Sequence, residues 1–175
     1  MTGEQLLRTV KPEARVVING QSYNVGGLYG QKQKAYLLDE WPEQMQPDSR
    51  DFQYVSHSIS GLPAHLEWKS RSWLPPLASP GGKMVSFVYQ SRQPGLQEVI
   101  RTVNYELYDN IPLVCKWVSI VNKGTTGIHL DQVVNEILAA AEEESAVEGA
   151  TAKMRTPHGL YIESNFAFNN SMTAR

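Results

Sequence analysis

The stretch that decides the fold is VIRTVNYELYDNIPLVCKWVSIVNKGTTGIHLDQVVNEIL, residues 99–138. In its first part, apolar and polar side chains occupy opposite faces of an extended chain. The apolar face carries Val99, Val103, Tyr105 and Leu107, and the polar face carries Glu98, Thr102, Asn104 and Glu106. A period of two is typical of a half-buried strand. Turn-forming residues at 108–110 and a second apolar run at 113–121 then predict an antiparallel pair, and hence an all-β protein.

The end of this stretch admits two interpretations. The composition of residues 131–145, which is rich in alanine and glutamate, suits a helix. However, one face of an extended run would carry Ile128, Leu130, Val134 and Leu138. Because tertiary pairing overrides local propensity, we expect a third strand of the same meander over about residues 127–141, with the helix as the alternative.

Elsewhere the sequence predicts further strands. Asn19-Gly20 separates two short apolar runs, and this dipeptide favours a two-residue hairpin turn that would place Val16 opposite Tyr23. Other extended runs are predicted at residues 52–59, 64–68, 85–89 and 160–168.

Composition excludes several classes of function. The 175 residues have a formal net charge of −2 and no basic stripe, so we expect no nucleic-acid partner. No apolar run is long enough for a membrane helix, and no secretion signal is visible. The single cysteine, Cys115, excludes an internal disulfide and is expected to be a small buried residue. Without CxxC, HExxH or a glycine-rich phosphate loop, neither a metal nor a cofactor is predicted.

The motifs resemble a known domain. Residues 103–117, 121–124 and 134–138 are similar to the N-terminal β-sandwich domain of melibiase-type α-galactosidases and related glycoside hydrolases. In that domain a "YE-YDG-P---KW" strand pair precedes an "N-G" turn and a "-V-EIL" strand. Asn110 stands where that pattern usually has glycine, and both residues tolerate a left-handed turn. Residues 25–28 and 73–76 also resemble parts of the domain.

The resemblance implies a two-layer antiparallel β-sandwich of the galactose mutarotase-like supersandwich type, in truncated form. Residues 1–175 would be a single sandwich domain, a fragment of a larger enzyme whose catalytic barrel lies beyond residue 175. In such enzymes the catalytic carboxylates lie in the barrel, so this chain would be a non-catalytic accessory domain that packs against it. Related enzymes are commonly exported, which favours a periplasmic or secreted location. A truncated sandwich would leave an unpaired edge through which the chain could self-associate.

Carbohydrate is the expected ligand, and Trp73 is the candidate substrate-binding residue. It lies in a proline-rich loop, 71–82, where an aromatic ring could stack on a sugar; the alternative is that the ring folds back over the sandwich. Glu106 and Asp109 are not expected to be catalytic, because one lies on the polar face of a strand and the other in a turn. The remaining tryptophans are expected to be packing residues: Trp41, Trp68 and Trp117.

Two alternative functions remain open. The first is an aldose-epimerase-like sugar-binding or mutarotase domain, in which a histidine acid works with a carboxylate base. Its candidate residues are His57 or His129 together with Glu67 or Glu136. The second alternative is a structural or interaction domain without a ligand.

Overall fold

The computed structural model describes residues 9–32, 38, 40–63 and 80–138. Within these residues the protein is all-β, with two antiparallel sheets of three and four strands, as the sequence predicted. The helical content of this described part of the chain is one short 3₁₀ turn, Pro42–Gln44. The strands are β1 (Ala14–Ile18), β2 (Gln21–Val25), β3 (Gln53–Gly61), β4 (Gly82–Gln90), β5 (Val99–Tyr108), β6 (Val114–Asn122) and β7 (Leu130–Val134).

The smaller sheet has the order β2-β1-β7. Asn19 and Gly20 form the turn between β1 and β2 with φ of 50° and 76°, the left-handed conformation that a tight hairpin turn needs. Val16 pairs with Tyr23, so the predicted register is confirmed. Side chains at alternate positions of β1 are buried, which directs one face of this sheet into the core.

The larger sheet is a meander with the order β3-β4-β5-β6. The turn between β5 and β6 places Asn110 at φ 61°, in agreement with the left-handed turn expected there. The predicted strand at residues 52–59 is observed as β3, and the run at 85–89 lies within β4. The predicted strands at 64–68 and 160–168 lie outside the described residues.

The core forms where the two sheets meet, as in a β-sandwich. Phe52 is fully buried at the seam: its N–H donates to the Asn24 carbonyl (2.9 Å), and its own carbonyl accepts from the Gly26 N–H (2.8 Å). Trp41 is also buried, in agreement with its expected packing role. The central cluster draws side chains from both sheets: Ala14, Val16, Ile18, Val25, Phe52, Tyr89, Leu96, Val99 and Val103.

The expected third meander strand is wrong in its partner. Residues 130–134 do form a strand rather than a helix, but this strand, β7, pairs with β1 in the other sheet and not with β6. The connection, residues 123–129, is too long for a tight hairpin and carries the chain from one sheet to the other. Backbone hydrogen bonding then fixes it, since the Asn19 N–H donates to the His129 carbonyl at 2.9 Å.

The two faces of β5 also differ from the predicted alternation. Leu107 is exposed although it belongs to the predicted apolar face, whereas Asn104 and Glu106 are buried although they belong to the polar face. Because β5 has neighbours on both sides, burial follows its central position rather than its pattern.

Trp117 pairs with Asn104 on the face opposite the inter-sheet core, and it is half-buried. Trp117, expected to be a packing residue, is therefore not part of the core between the two sheets.

Candidate functional site

An open groove of about 450 Å³ lies beside the core, where β2 ends and β3 begins. One wall is aromatic and consists of Tyr54, Phe87 and Tyr89 from the larger sheet. The opposite side is formed by the glycine-containing segment that follows β2 and by residues 10–13. Carboxylates complete the lining: Glu13, Asp48 and Asp51.

The aromatic wall depends on a β-bulge in β3. The pairing register of β3 shifts between Tyr54 and Ser56, so one strand contains an extra residue. As a result Tyr54 and His57, three positions apart, are on the same face, and the Tyr54 hydroxyl and His57 Nδ1 are hydrogen-bonded at 2.6 Å. The Tyr54 ring lies 6.2 Å from that of Tyr89 and 6.4 Å from that of Phe87. Strict alternation along the strand gives no signal for this grouping, which explains why the sequence analysis missed it.

The exposure of Tyr54 makes the wall accessible. Its side chain is 53% exposed, whereas Tyr89 is buried behind it. Burial raises the pKa of Tyr89 to about 12. Tyr54 is therefore the aromatic surface that a ligand could contact, and Tyr89 and Phe87 support it.

A charged cluster flanks the groove at Glu13. Lys116 donates to the Glu13 carbonyl at 2.6 Å and to the Glu136 carboxylate at 2.8 Å, and its Nζ is 3.2 Å from the Glu13 carboxylate. The Tyr105 hydroxyl donates to the same Glu13 carboxylate. Burial and this hydrogen bond raise the pKa of Tyr105, so the phenol stays protonated. Glu13 is thus fixed in position while one side of it faces the groove.

Two glycines, Gly26 and Gly27, let the segment after β2 pack closely against its neighbours. Gly26 has φ 64°, and a Cβ there would lie 2.9 Å from Cε1 of Tyr89. Gly27 has φ 93°, and a Cβ there would lie 3.1 Å from the backbone of Pro12. Both positions therefore disfavour any side chain, for reasons of conformation and of space.

A smaller polar cleft of about 230 Å³ shares Asp48 and Asp51 with the groove. Asp51 accepts from the Asn24 N–H (2.8 Å), from Asn24 Nδ2 (3.1 Å) and from the Tyr29 hydroxyl (2.6 Å). Burial and the bond to Asp51 raise the pKa of Tyr29. Arg50 binds Asp48 and lowers the pKa of that carboxyl to about 2. Asp48 is therefore ionised over the physiological range.

Of the residues predicted for a mutarotase site, the structure describes His57, His129 and Glu136, and the last two have other partners. His129 is exposed and pairs with Asp131 at 2.7 Å, while Glu136 pairs with Lys116. His57 lies on β3 and Lys116 on β6, the two edge strands of a four-stranded sheet, which places them about 14 Å apart at the usual spacing of strands. An acid–base pair of His57 and Glu136 is thus not formed. Glu67 lies outside the described residues.

The other residues considered in the sequence analysis do not line the groove in the described structure. Trp73 and Trp68 lie outside the described residues. Glu106 is 1% exposed and accepts from the Tyr108 hydroxyl, whereas Asp109 is exposed in the turn. Cys115 is a free cysteine and is half-buried.

In the described ranges, no group of three or more His, Cys, Asp or Glu side chains is arranged to hold a metal ion. The same residues contain no helix that is long and apolar enough to cross a membrane.

No protein-family model matches the chain, and no curated protein or solved structure matches it either. The resemblance to the glycoside hydrolase domain therefore rests on the motifs quoted above.

Proposed function

We propose that this chain is a non-catalytic accessory domain of an α-galactosidase-like glycoside hydrolase and that it binds carbohydrate in the groove beside Tyr54. In this proposal the domain packs against the catalytic barrel of the parent enzyme. The observation that carries the proposal is that one groove is lined by an exposed aromatic ring, Tyr54, and by a carboxylate held in position, Glu13.

The chemistry of a sugar fits these groups. A pyranose has an apolar face, which stacks on an aromatic ring, and a rim of hydroxyl groups, which donate to carboxylates and carbonyls. Tyr54 offers the first kind of contact and Glu13 the second.

The charge of the groove favours a neutral ligand. Among the described residues that line it, three are acidic (Glu13, Asp48 and Asp51) and one, Lys11, is basic. Hydroxyl groups are donors that these carboxylates can accept, whereas an ionised phosphate or carboxylate ligand would offer them only further acceptors. Neutral galactosides are therefore the ligands to test first.

The test is a titration of the 175-residue chain with galactose and with α-linked galacto-oligosaccharides, followed by NMR. We expect weak binding that perturbs resonances of the groove, and a loss of at least about tenfold in affinity for Tyr54→Ala, since stacked aromatic rings dominate such contacts. Ile59→Ala is the matched control, because Ile59 lies on the same strand outside the groove. Equal affinity of the two variants would contradict the assignment of the groove.

The alternatives make different predictions. A mutarotase-like domain should accelerate the interconversion of galactose anomers, which polarimetry measures directly, and absence of acceleration removes this alternative. If Trp73 contributes to the sugar site of the parent enzyme, Trp73→Ala should raise the KM of the full-length hydrolase. A domain that binds none of these sugars and whose Trp73→Ala variant is kinetically silent would be a structural domain instead.

A further inference from the structure

Among the described residues, strand β3 is an edge of the larger sheet and is exposed along almost its whole length. Residues 54–61 are all exposed, with Val55 at 52% and Ile59 at 66%. An edge strand presents unpaired backbone N–H and C=O groups, which can pair with another strand. The edge of β3 is thus long enough to act as a pairing surface.

The usual protection of such an edge is missing from most of β3. Its sequence, QYVSHSISG, contains no lysine, no carboxylate and no proline. The bulge at Val55 is the one protective feature, and it lies at the start of the strand, so residues 56–61 keep a regular register with β4. The other edges differ, because β6 carries Lys116, β7 carries Asp131, and β2 has five residues.

The regular part of β3 is also self-complementary. Residues 56–60 read Ser-His-Ser-Ile-Ser, which is symmetric about Ser58 in the placement of its serines. In an antiparallel pair of two such strands with a two-fold axis at Ser58, serine faces serine on one side of the sheet. On the other side His57 of each copy faces Ile59 of the other. No like charges meet, and serine pairs can hydrogen-bond across strands.

We propose that β3 pairs with β3 of a second copy of this chain, so that the two four-stranded sheets join into one continuous sheet across a two-fold axis at Ser58. A two-fold contact uses the same patch on both subunits, which is what a self-complementary strand provides. The aromatic walls of the two copies would then lie on one shared face. Formation of this dimer does not depend on whether the groove binds sugar.

The first test is the mass of the 175-residue chain in solution, measured by sedimentation equilibrium from about 1 to about 200 μM. We expect a monomer–dimer equilibrium. Ser58→Lys would place two ammonium groups directly opposite each other, and we expect it to weaken the dimer at least about tenfold. Ser22→Lys is the matched control, because Ser22 is an exposed serine on the edge strand β2. A monomer at every concentration, or equal effects of the two lysines, would overturn the proposal.

The second test fixes the register. In a Cys115→Ala background, Ser58→Cys should form an intermolecular disulfide under mild oxidation, because directly opposed residues have Cα atoms about 4.5–5.5 Å apart, within the range that a disulfide spans. Ser60→Cys is the control, since each Ser60 would face Ser56 of the partner strand rather than itself. Efficient cross-linking through Ser60 and not through Ser58 would show that the proposed axis is wrong. Circular dichroism of each variant establishes that it is folded.

Discussion

Strands β5 and β3 belong to the same sheet, yet their charges are distributed in the opposite way from that expected of a soluble protein. The central strand β5 contains Arg101 and Glu106, and both are buried. The exposed strand β3 contains no charged residue at all. Charged side chains are usually found at the surface and avoid the interior unless they are paired.

The environment of each strand explains the contrast in part. Arg101 is 0% exposed, and its guanidinium lies 4.2 Å from the centre of the Phe52 ring, a cation–π contact. Glu106 accepts from the Tyr108 hydroxyl. The buried charges are therefore held by aromatic neighbours. For β3, the absence of charge is typical of a strand that is meant to pair, which is the basis of the dimer proposed above.

The difference in burial between the two strands is tested most directly by the same substitution made in each of them. Val103→Ala removes two methyl groups from a fully buried position of β5, and we expect the free energy of unfolding to fall by about 2–3 kcal/mol. Val55→Ala makes the same change on β3, where the side chain is exposed, and should cost less than about 1 kcal/mol. Urea unfolding at low protein concentration, where the chain is monomeric, measures both. Similar losses would mean that β3 is more buried than the structure indicates.

A second substitution tests the buried charge of β5. The three guanidinium nitrogens of Arg101 are buried without a hydrogen-bond partner in the described structure, and burial lowers its pKa to about 10. Arg101→Met keeps a long side chain and removes the charge, so we expect stability to rise by about 1–2 kcal/mol. Arg92→Met, at an exposed site, should change stability by less than about 0.5 kcal/mol. A loss of stability for Arg101→Met would contradict this expectation and would mean that the cation–π contact with Phe52 outweighs the cost of burying the charge.

The pH dependence of stability tests the burial of Tyr89. The pKa of Tyr89 is raised to about 12 in the folded protein, above its ordinary value of 10. Its contribution is therefore fully present below pH 10 and is lost as the pH rises towards 12, by about 1 kcal/mol between pH 9 and 11. Tyr89→Phe should reduce this alkaline loss, as measured by urea unfolding at the two pH values. An alkaline loss that is the same in Tyr89→Phe as in the parent chain would contradict the assigned burial of Tyr89.

The smallest effect is expected at the end of β5. Asn110 has φ 61°, a conformation that glycine and asparagine both adopt. Asn110→Gly should change the free energy of unfolding by less than about 0.5 kcal/mol, because relief of backbone strain is offset by the greater entropy of glycine in the unfolded chain. Asn110→Val, with a β-branched side chain, should be clearly destabilising. Thermal unfolding of the parent chain and of both variants measures these effects. Equal stability of the valine variant would show that the turn is not left-handed.

Local patterns were sufficient to predict much of this fold. The Asn19-Gly20 turn, the register of Val16 with Tyr23, and the pairing of β5 with β6 depend on residues close in sequence, and all three are confirmed. The partner of β7 was not predictable in this way, because β1 lies more than a hundred positions away and no periodicity encodes such a contact. A prediction from sequence therefore identified the strand and assigned it to the wrong sheet.

The groove was hidden from sequence analysis for a different reason. Alternation assigns Tyr54 and His57 to opposite faces, and only the bulge at Val55 brings them together. A bulge reflects how a strand fits its neighbour, which a single strand does not reveal. The same limitation applies to Glu106, whose burial depends on the neighbours of β5. The candidate chosen from sequence, Trp73, remains a prediction.

The pairing of β7 with β1 has a consequence for biosynthesis. The first hairpin, β1 and β2, can form soon after it leaves the ribosome, but its sheet gains its third strand only when residue 134 has emerged. Closing a loop of this length is slow, and chains rich in such distant contacts fold slowly. One backbone edge of β1 therefore stays unpaired in the nascent domain until β7 arrives, and unpaired strand edges make folding intermediates prone to aggregation.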